Sequence, residues 1–356
     1  MNHKHRGKTS SFLFTNMSDS ERRFGILENG NIYSKNAQPS RDIFQRRMAR
    51  LYDCKSSFSN KAYSVSELLL TALASGNEKI ALHTATFFPL KKMILSIADS
   101  HSIRIVMFEK ASELENIAKN GVKAVIMSSM SAEYGFLCMK EASSVCRKFN
   151  IPLVADNTLT TVFILNPFDF GADLVMELSQ LISAGNGKNC YLTLMEKNSL
   201  NCLHENNKYI RLFPFLKYSY PITAYLSLKS RRAGLLSGSK EVQAEYYMLC
   251  QGLKTLENRI EIHSQNSRII AETAAGFSSD ISYSMFNDRC FLFLRIAPEK
   301  NKIDAVMEKL SDITVRSFSD LFLIYSCTAV YFSEKYMYVK SGTEPTGYLK
   351  QLFTIV

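Results

Sequence analysis

The sequence predicts an α/β protein built on a doubly wound, mostly parallel sheet, followed by a smaller α+β unit. Three observations carry this. Short apolar runs rich in Val, Ile and Leu alternate with amphipathic helical patterns from Lys79 onward. Proline punctuates one helix-to-strand junction, at Asn150-Ile151-Pro152. After Gly276 the alternation gives way to separate strand and helix patterns.

Taken in order, residues 1–25 are polar and carry His3, Lys4, His5, Arg6 and Lys8, which reads as a flexible basic tail. Strands are predicted at Ile80–Thr84, Ile103–Phe108, Ala124–Met127, Ile151–Ala155 and Leu174–Met176, with a further one at Tyr191–Leu194. Between the third and fourth, Cys138, Ala142, Val145, Cys146 and Phe149 fall on one helical stripe. Lys140, Glu141, Arg147 and Lys148 take the opposite face. Proline then forbids continuation and the next strand begins. A long helix is predicted over 241–276, with Leu249, Leu253, Leu256, Ile260 and His263 at three- and four-residue spacing. Beyond it come strands at Cys290–Ile296, Phe322–Cys327 and Tyr336–Val339 and helices at Ile303–Leu310 and Gly347–Phe353. The expected division is a tail over 1–25, a large α/β domain over 26–240, the connecting helix over 241–276 and a small domain over 277–356.

Composition narrows the function classes. The chain has 356 residues, of which 46% are apolar and 21% charged, which excludes a disordered or fibrous protein. The net charge is +10, but basic and acidic residues are interleaved, so no nucleic-acid partner is expected. No apolar run approaches the roughly 18 residues of a membrane span, and the basic N-terminus lacks a signal-peptide core, so the expected location is the cytoplasm. The eight cysteines stand singly, without CxxC or metal-ligand spacing, and read as reduced, mostly buried thiols.

In doubly wound sheets ligands sit beyond the carboxyl ends of the strands, which directs attention to Asp156-Asn157-Thr158. Alone, this triplet reads as a turn or helix cap. The wider string Ile151-Pro152-Leu153-Val154-Ala155-Asp156-Asn157-Thr158, with Asn166-Pro167-Phe168 and Gly171-Ala172-Asp173-Leu174-Val175, resembles the Cys/Met-metabolism family of pyridoxal-phosphate enzymes. That family includes cystathionine γ-synthase, cystathionine lyases and O-acetylhomoserine sulfhydrylase. Gln251-Gly252-Leu253-Lys254-Thr255-Leu256 with Arg259 and His263 is similar to its RGLKTL…R…H helix, and Tyr33-Ser34-Lys35-Asn36 to its YSR phosphate motif. The resemblance spans most of residues 30–350 and implies the pyridoxal-phosphate type I fold.

It also implies roles. Pyridoxal phosphate is an electron sink held by a lysine imine, with a carboxylate at its ring nitrogen. Asp156 matches that carboxylate. Counted without a gap from Gly171, the family's Ser-x-Thr-Lys run falls on Leu178, Gln180 and, at the lysine, Leu181; no lysine lies between Lys148 and Lys188. The phosphate cup falls on Asn60-Lys61-Ala62 and the ring-stacking tyrosine on Phe87 or Phe88. The carboxylate-binding arginine falls on Tyr338 when Lys340-Ser341-Gly342-Thr343-Glu344 is laid over the family's C-terminal run. The family's Glu and Asn around ETxSNP become Ser128 and Ala132.

The expectation is therefore a degenerate trans-sulfuration-type homologue with no catalytic lysine and no covalently bound cofactor. Pyridoxal phosphate would be retained only noncovalently or in a partner subunit. Family active sites lie at subunit interfaces, so the chain is expected in a homo- or hetero-oligomer with an intact relative, to which it lends Tyr33 and Lys35. The alternatives are a divergent enzyme or binding protein that takes pyridoxal phosphate or an amino acid through the old pocket, and, more remotely, a regulatory or nucleic-acid-binding protein. Lys188 reads as a loop charge, His263 as a packed histidine, and Arg46, Arg47 and Arg50, like Arg231 and Arg232, as solvated faces. The sequence holds no GxGxxG, Walker loop, HExxH or GxSxG that would offer another chemistry.

Overall fold

The computed structural model describes residues 39–131, 135–183, 190–198, 222–237, 243–286, 289–316, 327–333 and 335–354. The tail over 1–25, the YSR-like stretch with Tyr33 and Lys35, Lys188 and most of the expected Phe322–Cys327 strand lie outside them.

Strands β1 (Ser56–Lys61), β2 (Lys79–His83), β3 (Arg104–Phe108), β4 (Val122–Ser128), β7 (Leu153–Asp156), β8 (Leu174–Leu178) and β9 (Tyr191–Glu196) form one sheet in the order β1-β9-β8-β7-β4-β2-β3. Two short strands, β5 (Met130–Ser131) and β6 (Gly135–Phe136), pair beside it. The run from β8 through β7, β4 and β2 to β3 is parallel, whereas β9 is antiparallel to both β8 and β1. The inner strands β7, β8 and β9 are buried at every residue and β2 at all but its first, which is why Ile80-Ala81-Leu82 and Leu153-Val154-Ala155 are continuous apolar runs rather than alternating ones. Strand β1, Ser-Ser-Phe-Ser-Asn-Lys, has no such run; edge pairing to β9 over all six residues makes it a strand.

Helix Met139–Lys148 buries Met139, Ala142, Ser143 and Cys146. It stops where Asn150 takes a left-handed φ of 51°, a common helix terminator ahead of Pro152. Gly171, at φ +88°, closes the short turn Pro167–Phe170 against that helix; a Cβ there would lie 2.2 Å from Ser143 Oγ.

The long helix Gln243–Ala274 leads to a second sheet of β10 (Asp280–Phe286), β11 (Arg289–Ala297), β13 (Met337–Lys340) and β12 (Ala329–Phe332). This sheet is antiparallel throughout. Leu294, Ile296, Val330, Met337 and Val339 pack with Ile270, Ala274, Leu349 and Phe353 into a small core of their own. Arg46 donates to Asp42 O at 3.2 Å and Arg47 to Cys250 O at 3.1 Å, while Met48, the next residue, is buried. The cysteine expectation needs correction. Of the six described, Cys146 and Cys250 are buried, Cys54 is half-buried and Cys138, Cys190 and Cys327 are exposed. The last three stand at a helix start, just before a strand and in a bend.

Candidate functional site

Because β1, β8, β7, β4 and β2 run in the same direction, their carboxyl ends share one edge of the sheet. Asn60 and Lys61, Leu178, Asp156, Ser128 and His83 all end there.

Asp156 is the last residue of β7, in register with Ser128 at the end of β4. Ser128 Oγ donates to Asp156 Oδ2 at 2.7 Å and accepts the Phe87 amide at 2.9 Å. Asp156 Oδ1 accepts the Thr158 amide at 3.0 Å and its hydroxyl at 2.5 Å, and the same hydroxyl accepts the Leu178 amide at 3.0 Å. The carboxyl is 1% exposed, and burial raises its pKa even against these bonds. Both oxygens are thus satisfied inside the protein.

Beneath it lies a second polar layer that sequence reasoning missed. Asn157 Nδ2 donates to the Tyr52 hydroxyl and to Leu165 O, each at 2.9 Å, and its Oδ1 accepts Ser129 and Thr160 hydroxyls at 2.8 and 2.5 Å. Tyr52 in turn donates to the Glu177 carboxyl in a short hydrogen bond. Glu177 is fully buried, and loss of solvent together with the nearby Asp156 charge pushes its pKa up to about 8, although the Tyr52 bond opposes this. The available signal was a lone glutamate inside the otherwise apolar strand Leu-Val-Met-Glu-Leu.

The other sequence-chosen positions spread out. Phe87 is buried and tied to Asp156 through Ser128; Phe88 opens the next helix and is 48% exposed. Asn60 donates through Nδ2 to Ser230 Oγ at 2.8 Å and accepts the Lys61 amide at 2.7 Å. It stands three strands from Asp156, roughly 14 Å at the usual strand spacing. Leu181 is buried, and its carbonyl accepts Arg259 Nη1 at 2.6 Å. Arg259 Nη2 also reaches Ile182 O at 3.2 Å and Gly252 O at 3.0 Å, so the Gly252–Arg259 motif clamps the backbone that follows β8. His263 is buried, and its Nδ1 lies 2.8 Å from Ser341 O. Burial and the neighbouring Lys340 charge lower its pKa to about 3, so it is a neutral packing residue at neutral pH. Tyr338 faces Arg295 across the β11–β13 pair. Among the described residues no three His, Cys, Asp or Glu side chains gather to hold a metal, and no helix is long and apolar enough to cross a membrane.

Asp156→Asn is expected to change stability by no more than about 1 kcal/mol, because Oδ1 still accepts from Thr158 and the new amide donates to Ser128 Oγ. Thermal unfolding checks this; a loss of about 3 kcal/mol would mean that the carboxylate charge itself holds the site together.

The sequence model of the Cys/Met metabolism PLP-dependent enzyme family matches residues 7–275. Similar curated proteins include O-acetyl-L-homoserine sulfhydrylase of Leptospira meyeri, 23% identical over 284 residues, covering 74% of this chain and 64% of that one. L-methionine gamma-lyase of Fusobacterium nucleatum is 22% identical over 272 residues, covering 74% and 62%. The chain therefore spans less than two thirds of the length of these relatives. Among solved structures, a Campylobacter jejuni chain described as an O-acetylhomoserine (thiol)-lyase superposes with a TM-score of 0.79 at 21% identity, covering 98% of this chain and 93% of that one. Cystathionine gamma-lyase of Lactobacillus plantarum gives 0.73 at 14%, covering 97% and 90%. At such identities the structural likeness speaks for the fold, and the mostly parallel sheet with its small C-terminal domain is that of pyridoxal-phosphate type I enzymes. With three quarters of its length matched by the family model, the chain belongs to the Cys/Met metabolism PLP-dependent enzyme family.

Proposed function

We propose that this chain is a non-catalytic, trans-sulfuration-type member of its family that pairs with an intact relative and lends it Tyr33 and Lys35 at the cofactor phosphate. The observation that carries this reading is Leu181: the position counted to the imine-forming lysine holds a buried apolar side chain, and Arg259 fixes its backbone. An alkyl group supplies no nucleophile. Asp156 supports the same reading, since Ser128 and Thr158 hydroxyls already occupy both of its oxygens. This donor set does not fit a pyridoxal group held through position 181, and no step is assigned to one. Lys35 keeps a positive charge but lacks the planar fork of arginine, so the lent half-site is weakened rather than abolished.

Two measurements test this. Incubation with pyridoxal phosphate, borohydride reduction and peptide mapping should give no near-stoichiometric lysine adduct on the isolated chain; a specific adduct on Lys188 or another lysine would overturn this and favour the divergent-enzyme reading. Co-expression with an intact relative should give a mixed oligomer with one loaded site per mixed dimer. Changing Tyr33 to Phe and Lys35 to Ala together should lower the partner's cofactor affinity about tenfold. Unaltered affinity, or a homodimer that ignores every intact relative, would favour a stand-alone ligand-binding role.

A further inference from the structure

The helix Ala62–Leu73 opens at the carboxyl end of β1, on the residues where the resemblance places the phosphate cup. A helix start takes an anion through amides that no intrahelical carbonyl reaches. Here the first two of those amides already have acceptors inside the chain. Lys61 N donates to Asn60 Oδ1 at 2.7 Å, and Ala62 N donates to Cys190 O at 2.9 Å.

The two bonds arise differently. Strands β1 and β9 pair antiparallel as far as Lys61 opposite Tyr191, and the bond from Ala62 to Cys190 carries that ladder one step into the helix. Freeing the Ala62 amide therefore means peeling β9 from β1. The Asn60 side chain is held at its other end, where Nδ2 donates to Ser230 Oγ of the helix Ile222–Ser237 at 2.8 Å. An amide hydrogen needs an oxygen, so the Lys61 bond fixes which end of the carboxamide faces it and leaves the NH2 for Ser230. The hydroxyl that the resemblance adds to the cup from β8 is missing too. Asn60 lies opposite Leu192, and Leu192 opposite Leu178, in one row across β1, β9 and β8. Leu178 stands roughly 10 Å along that row from Asn60. Both leucines are fully buried, and their side chains offer a phosphate no donor.

We propose that the chain has closed its own phosphate cup: Asn60 and the Cys190 carbonyl are built-in ligands of the helix-start amides, and they keep phosphate esters such as the family's cofactor out of it. A phosphate entering there exchanges protein hydrogen bonds, rather than bonds to water, for its own, which weakens it by up to about tenfold per amide. The inference deepens the proposed function and rests on the same placement of the cup. It argues against the alternative in which the chain carries the cofactor noncovalently.

Nitrogen-15 amide spectra of the full chain, titrated at constant ionic strength with inorganic phosphate and with deoxypyridoxine phosphate, are the test. The second probe has the cofactor's ring and phosphate but no aldehyde, so lysine imines do not enter. In the wild type neither probe should shift the Lys61 or Ala62 signal saturably up to about 20 mM. Asn60→Ala should speed hydrogen exchange at the Lys61 amide at least about fivefold, leave the Ala62 amide as protected as before, and let inorganic phosphate shift the Lys61 signal saturably over the same range. Thermal melting confirms that the variant is folded. Should Asn60→Ala fail to fold, Ser230→Ala carries the same exchange test, since it releases the far end of the carboxamide. Saturable shifts of either wild-type signal, unchanged Lys61 exchange in the folded variant, or a Lys61 signal that phosphate leaves in place there would each overturn the closed cup. None of these results bears on imine formation or on pairing with a relative, which involve neither amide and keep their own tests.

Discussion

Replacing Gly252 with alanine is expected to cost the fold about 2–3 kcal/mol, against the usual direction of such a change. Inside a helix alanine is ordinarily the better residue by about 1 kcal/mol, because glycine gives up more backbone freedom on folding. Here the helix Gln243–Ala274 passes so close to the chain after β8 that a Cβ on residue 252 would sit 1.9 Å from Ile182 O and 3.0 Å from Ile182 C. The obstacle is backbone rather than a side-chain tip that can turn aside. Moreover, Ile182 O and Leu181 O are held by Arg259, so relieving the clash means breaking that fork as well. Urea unfolding at constant m-value reads the effect as a lower midpoint. Gly347→Ala, with nothing within 4 Å of the added carbon, is the matched control and should leave the midpoint unchanged or slightly raised. A Gly252→Ala midpoint equal to wild type would mean that helix and loop stand further apart than described.

The same residues show what the sequence could convey. Parallel strands buried on both faces announce themselves as apolar runs, and the stop at Asn150-Ile151-Pro152 follows from local sterics, so the parallel part of the central sheet was legible strand by strand. Strand β1 was not, because its polar sequence becomes a strand only by lying against β9, some 135 residues away in register at Ser56 and Glu196 (140 apart) and at Lys61 and Tyr191 (130 apart). Asp156 was legible as a strand-end carboxyl with Asn and Thr behind it. Glu177 was not, since its meaning depends on Tyr52, 125 residues earlier, whose position near the end of a surface helix gives no local sign of a buried partner. Arg259 stood out as part of a motif, but its use as a clamp depends on carbonyls 77 and 78 residues away. Local chemistry could be read; pairings made by the topology could not.

Glu177→Gln is expected to abolish a loss of stability that the wild-type chain suffers as the pH rises from about 4.5 to 8. The unfolded carboxyl titrates at its ordinary 4.5, whereas burial and the Asp156 charge raise the folded one to about 8. Between those values the native state holds a proton that the unfolded state has released, so this group's contribution falls with rising pH, by up to about 1.4 kcal/mol per unit. His263 works in the opposite sense at lower pH. Its folded pKa of about 3 lies below the ordinary 6.5, so stability falls as the pH drops through that window. Because His263 acts equally in both chains, the difference between wild type and Glu177→Gln isolates the carboxyl. Glutamine keeps an oxygen for the Tyr52 hydroxyl and cannot ionise, and Tyr52 itself, raised well above 10 by burial first and then by Glu177, does not titrate in this range. Unfolding free energies from urea titrations at about pH 5, 6.5 and 8 should therefore show the variant gaining on wild type by on the order of 3 kcal/mol across the series. Parallel curves would mean that Glu177 ionises near its ordinary pKa, which requires water to reach the layer beneath Asp156.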